Sequence, residues 1–529
     1  MLASVYVSTS RSSLSVWTLQ CLCAILPIMS LIDGESASYN GTTWYGILVS
    51  VIHSRMTRQD LYRLLTGSFG FVPTEGQHTV LYHLAAFLLS EKPCPTYLLQ
   101  GYAGTGKTTL VTTLVKTLPQ IGMKYQLMAP TGRAAKVLSG YTGKTASTIH
   151  RKIYRFQSFA DGSFRMTRAE NKAKNTLFIV DECSMIPDDF ANGRSLLDDL
   201  IKYVFSGENC RLLLIGDNDQ LPPIGLENSP ANDIKVLKNE FGLTVASYEL
   251  TEVMRQEEES GILWNATELR KMDGLRPSLP LFTTNGFPDV HRIEPQEFEE
   301  LLWQSFNGKN TNNAVIICRS NNRANMYNQA IRARILQEDG EIATGDKLMV
   351  VKNNYFWIDE NQKISFIANG DMIELMRINS TEEMYGFHFA DVDIQLTDYQ
   401  EEPNLSVKIL LETLTSDSPA LTQEEAERLY RAVEEDYMDI PNKRDRYKAM
   451  RQNPYFNALQ VKFGYALTCH KTQGGQWPTV FIDAPFVPDG ETHGRASLQI
   501  SDLRWFYTAV TRAQRQLYFV NFKNEYFFE

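Results

Sequence analysis

Paired cysteines, repeats and positive charge are what this chain lacks. None of its seven cysteines stands in a C-x-x-C pair, and their number is odd. That excludes a disulfide framework and the common zinc spacings, and it fits a reducing cytoplasm. No repeat of solenoid length and no low-complexity tract occurs, which excludes a stacked-repeat protein. With 43% hydrophobic and 22% charged residues, the chain is not a mostly disordered one. Lys and Arg number 52 against 62 Asp and Glu, a net charge of −10. A broadly basic nucleic-acid coat protein is excluded, whereas a local basic groove is not. The deficit is concentrated between Leu396 and Ile440, where twelve acids face only Lys408, Arg428 and Arg431. Such a run reads as a solvated acidic face. The remainder is close to neutral, and 529 residues leave room for three or four domains.

What is present begins at Leu98 to Val111, LLQGYAGTGKTTLV. Gly101, four residues, then Gly106, Lys107 and Thr108 have the spacing of a phosphate-cradling loop. Glycines let backbone N–H groups turn inward around phosphate oxygens, and the following helix points its positive end at the same anion. Lys107 is expected to reach the β- and γ-phosphates and Thr108 to hold Mg²⁺, with Gly104, Thr105 and Thr109 completing the nucleotide-binding set. A nucleoside triphosphate with Mg²⁺ is therefore expected. What its hydrolysis drives is not stated by this stretch.

Residues 1–55 are unlike the rest: Arg11, Asp33, Glu35 and Arg55 are their only formal charges, and no lysine precedes Lys92. Val16 to Ile32 is apolar, is broken by Pro27 and is short for a membrane span. It resembles a secretory signal. Export would separate a nucleotide site from its nucleotide, so a biological start at Met56 is the preferred expectation, with no membrane association.

Apolar runs that end in motif-bearing turns recur: TYLLQG, YQLMAPTG, NTLFIVDE and RLLLIGD, then NAVIICRS, FGYALTCHKTQG, TVFIDAP and QLYFVNF. Short buried strands alternating with helices predict parallel α/β sheets. Between them the pattern changes to strands with turn signals, closed by the acidic helical segment. The expected organisation is an atypical segment 1–55, a first domain 56–275, a second built from 276–345 and 454–529, and a β-rich insertion 346–453. Within the first domain, Asp161-Gly162 flanked by alternating aromatic and polar residues predicts a hairpin at about 151–175.

Asp181 and Glu182 close an apolar strand. After a phosphate loop, this is where one acid holds Mg²⁺ and its neighbour polarises the attacking water. Gln220, in GDNDQLPPIG, suits sensing of a γ-phosphate or water, although a polar turn would read the same. Arg255 and Arg512 are candidate cations for developing phosphoryl charge. Alone, each would read as a surface residue.

The ordered set GYAGTGKTT, APTGRAAKVLS, TASTIH, VDECSM, GDNDQLPPIG, LTEVMRQ, YALTCHKTQGGQW and YTAVTRAQ resembles the motif series of superfamily 1 helicases, group B, of the RecD-like and Dda-like kind. The resemblance runs from Thr74 to the C-terminus and is loosest from Tyr355 to Asn453. It implies two RecA-like parallel-sheet motor domains, the first with a small β-hairpin insertion and the second with a β-rich SH3-like insertion. It implies ATP as the nucleotide and Gln77 as its adenine reader. Lys107, Asp181, Glu182, Gln220, Arg255 and Arg512 become the catalytic set, with Thr108 and Asp181 on the metal. Pro130, Thr131, Arg133, Thr148 and His150 of the first domain, and Thr468, His470, Lys471 and Thr472 of the second, become contacts to single-stranded DNA. Without that context His150 and His470 would each read as packed histidines. The hairpin falls where relatives carry a strand-separating pin, and Phe159 could stack there on the last base pair; a passive surface hairpin is the other reading. Gln476 replaces the acid common after QG in this superfamily, which puts a ribose contact there in doubt.

The function so implied is a monomeric, cytoplasmic ATP-dependent helicase or translocase. It would act on single-stranded DNA and duplex junctions, travel 5′ to 3′, and serve replication, repair or recombination. The sequence has no evident reader of a 2′-hydroxyl and leaves RNA open as a track. The rivals are a DNA-independent switch or remodelling ATPase, and a translocase that does not unwind.

Overall fold

The computed structural model describes residues 56–158, 164–187, 195–252, 260–272, 279–306, 313–358, 366–397, 403–485 and 499–528. The signal-like segment 1–55, the hairpin tip with Phe159, and Arg255 lie outside them.

The first sheet is built from β1 (Pro95–Gly101), β2 (Lys124–Ala129), β3 (Ala146–Thr148), β6 (Thr176–Val180), β7 (Arg211–Gly216) and β8 (Thr244–Leu250). Its order is β3-β2-β6-β7-β1-β8, and every pairing is parallel. β1, β6 and β7 are buried at every residue, as strands covered on both faces must be. Their unbroken apolar runs have that cause. Between β3 and β6, β4 (Tyr154–Ser158) and β5 (Phe164–Arg168) form an antiparallel two-stranded ribbon with Ser158 opposite Phe164.

The second sheet uses β9 (Val290–Arg292), β10 (Ala314–Cys318), β16 (Ala466–Thr468), β17 (Trp477–Asp483) and β18 (Ala513–Val520) in the order β16-β10-β17-β18-β9, again all parallel. These are the two parallel sheets that the recurring apolar runs predict.

Between β10 and β16 lies a closed barrel of β11 (Lys347–Val350), β12 (Met372–Met384), β13 (Phe387–Leu396), β14 (Leu405–Leu410) and β15 (Leu459–Phe463). β12 and β13 turn through Tyr385 and Gly386, at φ +57 and +70, the paired positive φ of a tight hairpin matched to strand twist. β14 and β15 pair in parallel, which requires the long helical excursion between them. That excursion includes the acidic helix Gln423–Glu435. Its N-terminus carries a capping box between Thr422 and Glu425, and only Leu429 and Val433, one turn apart, are buried. Glu424, Glu427 and Glu435 of this helix are exposed. β15 lies past residue 453, so the closing strand comes from sequence expected to belong to the second motor sheet. One apolar cluster joins the barrel interior (Ile373, Val392, Val461) to a face of the second sheet (Ile316, Phe481).

No helix among the described residues is long and apolar enough to cross a membrane.

Candidate nucleotide site and nucleic-acid interface

The phosphate loop leaves the carboxyl end of β1. Gly104 and Gly106 sit at φ +77 and +84, where a Cβ is strained. A Cβ on Gly106 would also lie 2.4 Å from Nε2 of Gln77. The helix Lys107–Thr117 begins there with no side-chain cap, so its first N–H groups are available to an anion. The buried Thr105 donates its hydroxyl to the carbonyl of Tyr102 at 2.8 Å and tightens the turn beside Gly101. Lys107 Nζ donates to the carbonyls of Gly101 and Tyr102 at 2.5 and 2.7 Å. Thr108 is exposed and Thr109 half-buried on the first turn.

Gln77 is fully buried. Its Oε1 accepts from the backbone N–H of Thr74 at 3.0 Å, completing a capping box, and its Nε2 donates to the carbonyl of Thr105 at 3.0 Å. The amide therefore braces the phosphate loop from beneath.

β6 delivers the acids. Asp181 accepts from the backbone N–H of Glu182 at 2.9 Å and from the hydroxyl of Tyr141 at 2.5 Å. Glu182 takes φ +54, a left-handed conformation costing a non-glycine residue about 1–3 kcal/mol. Both acids keep part of their surface in solvent. Burial is nevertheless the chief cause that pushes the Glu182 carboxyl up to about 7; the charge of Asp181 adds to it, while Arg512 and then Lys107 oppose it. Burial raises Asp181 as well. A carboxyl poised near neutrality suits general-base work.

At the end of β7, Asp217 accepts from the backbone N–H of Asp219 at 3.0 Å. Asp219 is pushed up to about 6, by burial first and the Asp217 charge second. Gln220 is 7% exposed, and its buried Oε1 has no hydrogen-bond partner.

Arg512 reaches this region from the second sheet and is 3% exposed. Its Nε donates to the carbonyl of Thr508 at 3.0 Å, and its two terminal nitrogens to the carbonyl of Gly475 and the hydroxyl of Thr511, each at 3.2 Å. All three acceptors belong to its own half.

Residues not singled out in the sequence join the halves. The Tyr507 hydroxyl accepts from the P-loop N–H of Ala103 at 3.0 Å and donates to Asp217 at 2.8 Å. Thr508 accepts from the N–H of Leu221 at 2.8 Å, and Gln473 donates to the Leu221 carbonyl at 2.5 Å. Arg504 donates to the carbonyl of Glu227 at 2.6 Å and to the Asn228 side chain at 3.0 Å. Tyr507 and Thr508 sit in the quoted YTAVTRAQ, where an aromatic followed by a hydroxyl looks like ordinary helix packing. Tyr141 sits in a polar stretch with no signal at all.

The residues expected to meet a nucleic-acid strand cluster at strand ends of both sheets. The Thr131 hydroxyl accepts from the N–H of Ala134, and that of Thr148 from the N–H of Arg151, each at 3.2 Å, so both cap helices. Pro130 is partly exposed beside them. Arg133 lies over the ring of Trp477 at 3.6 Å. His150 is half-buried, packs 5.7 Å from Tyr154 and is pushed down by burial. In the second half, Thr468 precedes the short helix Cys469–Thr472. His470 is pushed down by burial and then by Arg319. The Lys471 ammonium is buried with no partner and is pushed down to about 8, by burial and then by Lys462. Thr472 lies beneath the surface, its hydroxyl on the carbonyl of Cys469 at 2.7 Å.

With this geometry in place, comparisons with known proteins are informative. The AAA-domain family matches residues 76–276, and the UvrD-like helicase C-terminal domain matches 463–520. The ATP-dependent RecD2 DNA helicase of Deinococcus radiodurans is 38% identical over 151 residues, 28% of this chain and 18% of that protein. The ATP-dependent DNA helicase dda of Enterobacteria phage T4 is 34% identical over 154 residues, 28% of this chain and 33% of that protein. The matched stretch thus spans a third or less of either relative. A solved Pif1 helicase from Bacteroides, in complex with ADP-AlF3 and ssDNA, aligns with a TM-score of 0.43 at 14% identity, covering 87% of this chain and 95% of that one. Two family matches fall on the two halves that carry the ordered motifs, and over those stretches the chain is similar to an AAA domain and to a UvrD-like helicase C-terminal domain.

Proposed function

We propose that this chain is an ATP-driven helicase that moves 5′ to 3′ along single-stranded DNA and separates duplex ahead of it, in DNA repair, recombination or replication. The observation that carries this reading is the joining of two sheets at one site: the Tyr507 hydroxyl of the second half accepts from the Ala103 N–H of the phosphate loop and donates to Asp217. A triphosphate would take Lys107 from the carbonyls it holds. Thr108 and Asp181 would hold Mg²⁺, which supplies charge neutralisation on the phosphates; because Mg²⁺ takes substrate oxygens and water, it needs few protein ligands. Glu182 accepts the proton of the attacking water, and Gln220, whose buried Oε1 has no hydrogen-bond partner, would act as the sensor of that chemistry. Closure and opening of the two halves then shifts the grip of one on the strand relative to the other.

A duplex with a 5′ single-stranded tail is expected to be unwound and its 3′-tailed counterpart is not. The opposite preference would overturn the polarity, and an ATPase indifferent to single-stranded DNA would return the reading to a switch or remodelling ATPase.

A further inference from the structure

The residues between the strand contacts and the nucleotide site form a continuous physical connection. Arg133, on the first sheet's helix Gly132–Thr142, lies flat over the Trp477 ring at 3.6 Å. A Cβ on Gly475 would stand 2.3 Å from Arg133 Nε, so only the bare glycine backbone lets the guanidinium settle there. The same two residues hold Arg512 from the other side. The Gly475 carbonyl accepts from the Arg512 guanidinium at 3.2 Å, and the Trp477 N–H donates to the Arg512 carbonyl at 3.0 Å. Gly474 presses on the same helix, its would-be Cβ 2.7 Å from Cβ of Ala134 and 3.2 Å from the Thr131 hydroxyl.

We propose that Trp477 is a positioning residue that couples strand occupancy to ATP turnover. With no strand bound, the Arg133 stack pins the Gly475–Trp477 segment, and that segment keeps Arg512 on the Gly475 carbonyl. A phosphodiester of the bound strand competes for Arg133. A cation stacked on an indole is held weakly enough to be displaced by a charge-assisted bond to phosphate. Withdrawal of Arg133 frees the segment and lets Arg512 exchange its own-half acceptors for the phosphoryl charge. Nucleic-acid stimulation of turnover then has a defined origin. This inference rests on the helicase reading above.

The test measures ATP turnover with and without saturating oligo-dT for the wild type, Trp477→Ala, Trp477→Phe and Arg133→Lys, with strand affinity followed by fluorescence anisotropy. Trp477→Ala is expected to raise strand-free turnover several-fold and to bring the stimulation ratio towards one, while strand affinity rises or stays level rather than falling. Trp477→Phe keeps an aromatic face and is expected to restore most of the ratio. Arg133→Lys keeps the charge but loses the flat stack, so it is expected to follow Trp477→Ala; it decides the matter should Trp477→Ala fail to fold. Wild-type stimulation ratios in Trp477→Ala and Arg133→Lys would overturn the proposal, as would a fall in strand-free turnover in both. A wild type that oligo-dT does not stimulate would overturn the helicase reading itself.

Discussion

The two sides of the nucleotide site are prepared differently. On the first sheet the groups stand in costly states: Glu182 is left-handed and raised towards neutrality, and Gln220 has a buried oxygen with no partner. On the second sheet Arg512 is at rest, with every nitrogen of its guanidinium on an acceptor of its own half. Strain concentrated where chemistry is expected is a recurrent arrangement. A satisfied cation opposite it is one that must give up bonds to act. The contrast suggests that the first half is preorganised and that the second half controls when the site is complete.

The sharpest way to break this contrast is to remove one cation from each side. Lys107→Ala is expected to abolish measurable turnover and weaken nucleotide binding. Arg512→Ala is expected to cut turnover by about 10³-fold or more, while a fluorescent ATP analogue still binds. Equal loss of binding in both would remove the division of labour, and normal hydrolysis by Arg512→Ala would refute a two-sided site.

A smaller effect is expected from pH. With Glu182 pushed up to about 7, its base form is lost as pH falls through that value. Turnover per encounter, kcat/KM, should drop about tenfold for each pH unit below it. A profile flat from pH 8 to 5.5 would show that no group of the free enzyme with that character matters.

The smallest effect separates contact from conformation. Gly474 and Gly143 sit at φ +70 and +64, but only Gly474 has a neighbour where a Cβ would go, and that neighbour is across the halves. Alanine at either position is expected to cost about 1–3 kcal/mol from backbone strain. Gly474→Ala should cost more by denaturant unfolding. Equal losses would mean that the halves do not bear on each other at Gly474.

Much of this architecture was legible because each local signal has a single physical cause. Apolar runs such as LLLIG arise where both sheet faces are covered, and the glycines of the phosphate loop stand where a Cβ is strained or would clash. Tyr507, Tyr141 and Trp477 were not legible in their roles. Tyr507 meets Ala103 across 404 positions and Tyr141 meets Asp181 across 40, and nothing in an aromatic residue's own neighbourhood announces a remote partner. The barrel's closing strand was hidden for a related reason. LQVKF continues straight into the second motor sheet, and its partners β11 and β14 are set by tertiary closure rather than by a turn.

The apolar cluster shared by the barrel and the second sheet has a consequence for the evolution and engineering of this chain. Cutting out the barrel would remove Ile373, Val392 and Val461 from a cluster that also holds Ile316 and Phe481, and is expected to expose apolar surface of the sort that drives aggregation. The insertion is therefore expected not to be trimmed without cost to the fold. Its removal is expected to destabilise the sheet with which it shares that cluster.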